Sequence, residues 1–313
     1  MHAAAFSPRG GVSPRSARLR GQSIIEYVLI IAVIGLVIVF AGPGVAGAIR
    51  NQFNQVTNTL DSGTDGGNFM SAEEKAYQEA MKTVVNKDAK DWTLDEQKAA
   101  ATDIAKNGTS SPVYAKAKAA MEAGTKFSAK LTNGKTLEYR IVGINHDDLA
   151  DGSGKAGLTF EATNTVLGAQ RMNATQTNAG GWEQSELRGR LNSGDLWSLL
   201  PSELQSKVKT VKKMTDNKGG GTAGTPSATT DKVFLLSTTE VYGNLQSDGA
   251  QYEYYKSKGV TTSSYSGASS GNHHWTRSVY PSGSTNFRLV NSSGDCRSNY
   301  ATDTPYVFPA FSF

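Results

Sequence analysis

Cysteine is almost missing from this chain. Of 313 residues only Cys296 carries a thiol, so no intramolecular disulfide can form and a domain must rely on its core. Histidine is nearly as scarce. Besides His2 there are His146, His273 and His274, and adjacent residues on a strand point to opposite faces, which makes the HH pair a poor metal site. No serine sits in a nucleophile elbow, and no glycine-rich phosphate loop opens a helix. Charge of one sign is lacking too. Lys and Arg number 32 against 28 Asp and Glu, and the excess is Arg9, Arg15, Arg18 and Arg20, so the rest of the chain is formally neutral. The pI of 8.9 therefore gives no ground for binding nucleic acid. The expectation is a non-enzyme with no catalytic residue, no metal and no cofactor.

What is present begins at residues 21–49, GQSIIEYVLIIAVIGLVIVFAGPGVAGAI. No charge interrupts the run between Glu26 and Arg50, and a helix of that length spans roughly 35 Å, enough for a bilayer. The basic residues ahead of it place the N-terminus in the cytoplasm and the chain from Arg50 onward outside. A carboxylate inside an apolar layer costs several kcal/mol, on the order of 3, unless a cation meets it. Glu26 therefore calls for a partner, or else sits at headgroup level beside Tyr27.

The order basic leader, Gly21, Glu26, Tyr27 and apolar run resembles the processing site of type IVb (Flp or Tad) pilins. The resemblance covers about thirty residues and implies cleavage after Gly21 by a prepilin peptidase, leaving Gln22 as the new N-terminus. It also implies that Glu26 faces a neighbouring subunit's terminal amine. An ordinary signal peptide, cut among the small residues near Ala46, is the competing reading.

Further on, Gly42-Pro43-Gly44 interrupts the helix, as a kink or as its end at the membrane surface. Ile49, Phe53, Val56 and Leu60 resume helical spacing. Residues 61–70 read as a linker; Asp61, Asp65 and Gly66 open like a calcium loop, but Ala72 stands where its closing Glu belongs. Residues 71–124 read as three helices with a thin apolar stripe, which suits a spacer. Ser71 with Glu74 and Thr93 with Glu96 form capping boxes, and Gly108 and Gly124 stop the second and third helices.

From Lys126 the period becomes two. Phe127, Ala129 and Leu131, the turn Asn133-Gly134, and Leu137, Tyr139 and Ile141 make a hairpin. Asp147, Asp148 and Asp151 read as a solvated turn rather than a cation site. Residues 158–167 read as a strand, and Trp182 and Trp197 as core anchors. Ser185 caps a helix with Leu187 and Leu191, and Ser202 caps one carrying Leu204, Val208 and Val211. Residues 215–231 and 261–272 read as polar loops, the first of them disordered or mobile. Arg188, Glu240 and Arg277 form a polar site or a structural ion pair.

The large domain, residues 125–313, resembles a family of bacterial surface and secreted domains of uncharacterised function. Its features appear as Trp182, Ser185, Leu187, Arg188, Leu191 and Asn192; Phe234 to Ser237 with Glu240 and Val241; Trp275, Arg277 and Ser278; and Pro309 to Phe311. A weaker resemblance is to a variant C-type lectin-like fold. The expected fold class is α+β: a prepilin leader over 1–21, a long transmembrane or pilin helix over 22–60, the linker, the spacer, and a mixed globular domain.

The function so implied is a large, minor pilin whose C-terminal domain serves adhesion at the cell surface. Its partners are the prepilin peptidase, other pilin subunits in a filament, and the membrane before assembly. Tyr252, Tyr254, Tyr255, Tyr265, His274 and Tyr280 are the expected binding face, with a glycan or a surface protein as ligand. The alternative is a membrane-anchored extracytoplasmic enzyme or carbohydrate-binding protein that does not polymerise.

Overall fold

The computed structural model describes residues 70–313. The sites expected at Gly21, Gln22, Glu26 and Tyr27, and the helix over 22–60, lie outside them. Three helices come first: α1 (Ala72–Val84), α2 (Leu94–Asn107) and α3 (Tyr114–Ala123). Ser71 accepts from Glu74 N to cap α1, and Thr93 and Glu96 form a reciprocal box on α2. Gly124 ends α3 in the left-handed region at φ 68°, where a side chain would be strained.

The hairpin follows as expected. Strands β1 (Lys126–Lys130) and β2 (Thr136–Ile144) pair antiparallel from Lys126 opposite Arg140 to Lys130 opposite Thr136. Next come β3 (Leu158–Ala162), α4 (Glu186–Asn192) capped by Ser185, α5 (Asp195–Ser198) and α6 (Ser202–Gln205). Then β4 (Val211–Thr215), β5 (Ser227–Asp231), β6 (Val233–Phe234), α7 (Thr238–Tyr242) and α8 (Glu253–Ser257). The chain ends with β7 (His274–Val279), β8 (Asn286–Val290), β9 (Cys296–Tyr300) and β10 (Ala310–Ser312). The central sheet has the order β1-β2-β3-β10-β6, so the C-terminal strand is inserted between strands formed far earlier. A two-stranded β4-β5 ribbon and a three-stranded β7-β8-β9 sheet complete it.

Several expectations are corrected. Among the described residues no helix is long and apolar enough to cross a membrane, the longest being the 14 residues of α2, so a fold led by such a helix is not what the structure gives. Nor are residues 71–124 a spacer. Val84, Trp92, Ile104, Val113 and Met121 share one core with Phe127, Tyr139 and Phe160 of the sheet. Tyr139 Oη donates to Gln97 at 3.0 Å, and a Cβ on Gly157 would stand 1.8 Å from the Ala101 carbonyl of α2. The thin stripe misleads because α2 buries Ala99, Ala100 and Ala101, whose small side chains let a helix lie close on a sheet.

The polar loop expected over residues 215–231 is shorter than that, for Thr215 ends β4 and Ser227–Asp231 form β5, leaving 216–226 to join the two arms of a hairpin. Its inward positions are Val211, Lys213, Thr215, Thr229 and Asp231, and a core face made mostly of polar residues does not read as a strand. The helix begun by Ser202 stops at Gln205 with no side-chain cap, and Val211 already belongs to β4.

Candidate functional site

Charged groups collect inside the fold rather than on it. Asp147, Lys213, Glu240 and Arg277 are all at most 5 % exposed, and they meet where β2's outgoing loop, β4, α7 and β7 converge. A lone buried ion would be prohibitively costly, so each must be paired and its remaining hydrogen-bonding capacity filled. Lys213 Nζ lies 2.6 Å from Asp147 Oδ1 and 2.6 Å from Glu240 Oε1. Arg277 forks onto Glu240 with both terminal nitrogens. Its Nε donates to Thr215 Oγ1 at 2.7 Å, and its other protons reach the carbonyls of Leu235, Met214 and Asp248.

The local sequence explains how each group arrives. Ser237 and Glu240 form a capping box, in which Ser237 N donates to Glu240 Oε2 at 2.8 Å, so the carboxylate that caps α7 also faces Arg277. Tyr252 Oη donates to Asp147 Oδ2 at 2.8 Å, and Thr159 Oγ1 donates to the same oxygen at 2.6 Å. The Tyr252 ring lies flat on Gly143, where any Cβ would come within 2.7 Å of it. His146 stacks on Tyr252 at 4.0 Å between centroids and its Nδ1 meets Glu253 at 3.2 Å.

Electrostatics follow from this pairing. Burial pushes the Asp147 carboxyl up, but Lys213, His146 and Thr159 outweigh it and hold the acid at about 2. Burial likewise raises Glu240, and Arg277 with Lys213 bring it below the ordinary carboxylate range. Two cations and two anions thus neutralise one another out of reach of solvent.

A second cluster is centred on Glu161, two residues beyond Thr159 on β3. Arg140 Nη2 bonds Glu161 Oε2 at 3.0 Å, Tyr255 Oη donates to Glu161 Oε2 at 2.7 Å, and Arg140 covers the Tyr254 ring at 4.1 Å. Here burial wins and Glu161 is raised despite Arg140 and Tyr255. A third is centred on Asp231, fully buried, which accepts from Arg188 Nε at 2.6 Å, Trp182 Nε1 at 3.2 Å and Thr229 Oγ1 at 2.6 Å. Asn192 ties it to Val233 O at 2.8 Å. Arg188 therefore stands apart from Glu240 and Arg277, which do pair.

The expected binding face is mostly inside the protein. Tyr252, Tyr254, Tyr255 and His274 are buried, while Tyr265 and Tyr280 are half-buried. The hydroxyls of Tyr252 and Tyr255 donate to Asp147 and Glu161, that of Tyr254 accepts from Arg140 at 3.0 Å, and His274 stacks on Phe308 at 4.5 Å with its pKa pushed down to about 4 by burial. Asp147 is likewise no part of a solvated turn; Asp148 and Asp151 are, bonded to Lys155 and Ser153. No group of His, Cys, Asp and Glu among the described residues could hold a metal ion. Trp197 is only partly buried and carries Lys232 over its ring at 4.9 Å, whereas Trp182 is fully enclosed.

Open to solvent instead is a crevice of about 450 Å³ beside α7, lined by Thr239, Gly243, Asn244, Gln246 and Ser247 among others. Its walls offer amides and hydroxyls, the chemistry of hydrogen-bonded recognition rather than of bond cleavage. Sequence reading missed it because nothing in GNLQS marks a concavity, and missed Lys213 and Asp147 as partners because they are separated by 66 residues.

The motif residues now have physical roles. Trp182, Arg188 and Asn192 hold Asp231; Ser237 and Glu240 cap α7 and take Arg277; Trp275 Nε1 donates to Gln170 O at 2.7 Å. Ser278 donates to Asp248, and Ala310 and Phe311 zip β10 between β3 and β6. No curated protein and no solved structure gives a significant match to the chain. Residues 156–313, half of the chain and the part that holds all these motifs, match a family model, and the chain belongs to the family described as Domain of unknown function (DUF6273).

Proposed function

We propose that this chain is a large, minor subunit of a type IVb, Tad-like pilus that presents residues 70–313 at the cell surface for attachment. The observation that carries the reading is the ordered set Gly21, Glu26 and Tyr27 behind a basic leader and ahead of an uncharged apolar run. Cleavage after Gly21 frees an α-amine on Gln22, and that amine in one subunit offsets the cost of Glu26 in the next. The buried charges of the described residues all find partners within the fold, so attachment falls to the polar outer surface. The crevice beside α7 and the loop carrying Tyr265 are the parts of that surface we assign to ligand, a glycan or a surface protein.

Mass spectrometry of the mature N-terminus tests the reading. Gln22 as first residue is the expected result; an intact Met1, or a cut near Ala46, overturns it and leaves an anchored extracytoplasmic protein. In a Glu26→Ala variant, processing should survive while recovery in sheared filaments fails. A glycan array probed with the full chain then separates sugar from protein as the ligand.

A further inference from the structure

The Lys213 amine is held against one carboxyl and beside a second, in a place without solvent. Nζ is 2.6 Å from Asp147 Oδ1 and 2.6 Å from Glu240 Oε1, and the Phe234 ring covers it at 4.3 Å from the centroid. Lys213, Asp147 and Glu240 are each 2–4 % exposed. Such a trio is the composition of an amide-forming site: a nucleophilic amine, an acyl group, and a carboxylate within reach to carry protons.

We propose that Lys213 and Asp147 join in an intramolecular amide between Nζ and Cγ, with Glu240 as the proton carrier. Nζ attacks Asp147 Cγ, a carbon–nitrogen bond forms and one carbon–oxygen bond breaks. Two protons from the ammonium leave with that oxygen as a single water; no oxidant, reductant or other reactant is needed. Glu240 takes a proton from Nζ, hands it to the departing oxygen, and ends ionised as it began. The negative charge that builds on the other oxygen, Oδ2, meets two donors already aimed at it, the hydroxyls of Tyr252 at 2.8 Å and Thr159 at 2.6 Å.

Two physical considerations favour the bond. Reactants fixed in contact behave as if at an effective concentration of about 10⁵ M or more, which replaces the activation that a free amine and acid would need. Charge also balances better afterwards. Before condensation Glu240 is shared between Lys213 and Arg277; afterwards one cation and one anion have vanished together, and Glu240 is left with Arg277 in a forked pair of its own. The link ties β4 to the loop after β2, adding a covalent ring to two segments already held by backbone hydrogen bonds from Lys212 N to Asp148 O at 2.8 Å and from Ala150 N to Thr210 O at 2.9 Å.

A tryptic map of the purified full chain by tandem mass spectrometry decides the matter. Expected is a branched peptide joining the segment with Asp147 to that with Lys213, lighter than their sum by one water, about 18 Da. Full recovery of both as separate linear peptides from the folded chain overturns the proposal. Lys213→Arg keeps the charge and must abolish the branch. Glu240→Gln should lower the linked fraction at least tenfold where the variant folds, and an undiminished branch removes Glu240 from its role. Should either variant fail to fold, the map of the unaltered chain still gives the answer alone.

Discussion

Glu240 and Glu161 are two glutamates equally cut off from water, each facing an arginine, and their surroundings drive them in opposite directions. Before Lys213 condenses with Asp147, burial around Glu240 is outweighed by two cations, Arg277 and Lys213, and the acid is pulled below its ordinary range. Around Glu161 one cation, Arg140, shares its charge with two tyrosines, and burial prevails. The number of cations per carboxylate, rather than depth, decides which form the fold prefers. One cluster is a closed ionic lock and the other is a carboxyl held by one guanidinium and one tyrosine hydroxyl.

The largest test of that contrast removes each arginine. Arg277→Met strands Glu240 beside Lys213, takes the side-chain donor from the Leu235 carbonyl and leaves those of Met214 and Asp248 with only Thr215 and Ser237, so the fold should lose about 3–5 kcal/mol in urea denaturation. Arg140 is partly exposed and its Nε has no partner, so Arg140→Met should cost less than half as much. Equal losses would erase the distinction between the clusters.

The pH dependence should have opposite signs. Glu240 has a folded pKa below its unfolded 4.5, so its contribution is present above pH 4.5 and fades as pH falls through the folded value. Glu161 has a folded pKa above 4.5; its contribution is present below pH 4.5 and fades as pH rises through the folded value. The stability gap between the unaltered chain and Glu240→Gln should therefore shrink on acidification from pH 5 to pH 3, by about 1 kcal/mol per unit of pKa difference. The gap for Glu161→Gln should shrink from pH 4 to pH 7. Parallel slopes would show that one electrostatic regime governs both.

Smaller effects come from the tyrosines. Tyr255→Phe leaves Glu161 with Arg140 alone, and a cost of about 2 kcal/mol is expected. Tyr252→Phe leaves Asp147 with Lys213 and Thr159 still in place, so about 1 kcal/mol should be lost. Thermal denaturation of the two variants side by side reads the difference.

How far the sequence announced this arrangement depends on what each residue does. The 126–144 hairpin was legible, because Phe127, Leu137, Tyr139 and Ile141 alternate around Asn133-Gly134 and put apolar groups on one face. The Thr93–Glu96 box was legible for the same reason, being local, while Ser71 makes only its half of the expected box and Ser202 caps nothing. Lys213, Asp231 and Tyr252 were not, since a lysine, an aspartate and a loop tyrosine read as solvated until their partners are known, and their ionic and aromatic partners lie far along the chain, Glu240 after Lys213, Trp182 before Asp231 and Asp147 before Tyr252. Glu240 and Arg277 were legible as an ion pair, but Arg188, read together with them, goes to Asp231 instead. Buried polar clusters are long-range objects, and periodicity reports only the short range. Of the aromatic residues expected at the surface, Tyr252, Tyr254 and Tyr255 satisfy their hydroxyls inside the fold and His274 is buried against Phe308, because a hydroxyl marks a need for a partner and not exposure.

The smallest effect belongs to His146, at the rim of the first cluster, where Arg140 and Glu161 have no counterpart. Burial pulls its pKa down, but Glu253, Asp147 and Glu240 prevail and leave it above 6.5. A group so raised stabilises the fold fully below pH 6.5 and loses that contribution as pH climbs through the folded value. Glu253 is 41 % exposed, so solvent screens the pair and less than about 1 kcal/mol is at stake. The denaturation midpoint of the unaltered chain should drift down between pH 6 and pH 8, and His146→Gln should flatten that drift while leaving the Tyr255→Phe loss unchanged. A drift that persists in His146→Gln would mean that the proton is taken up elsewhere and that the two clusters differ in cation count alone.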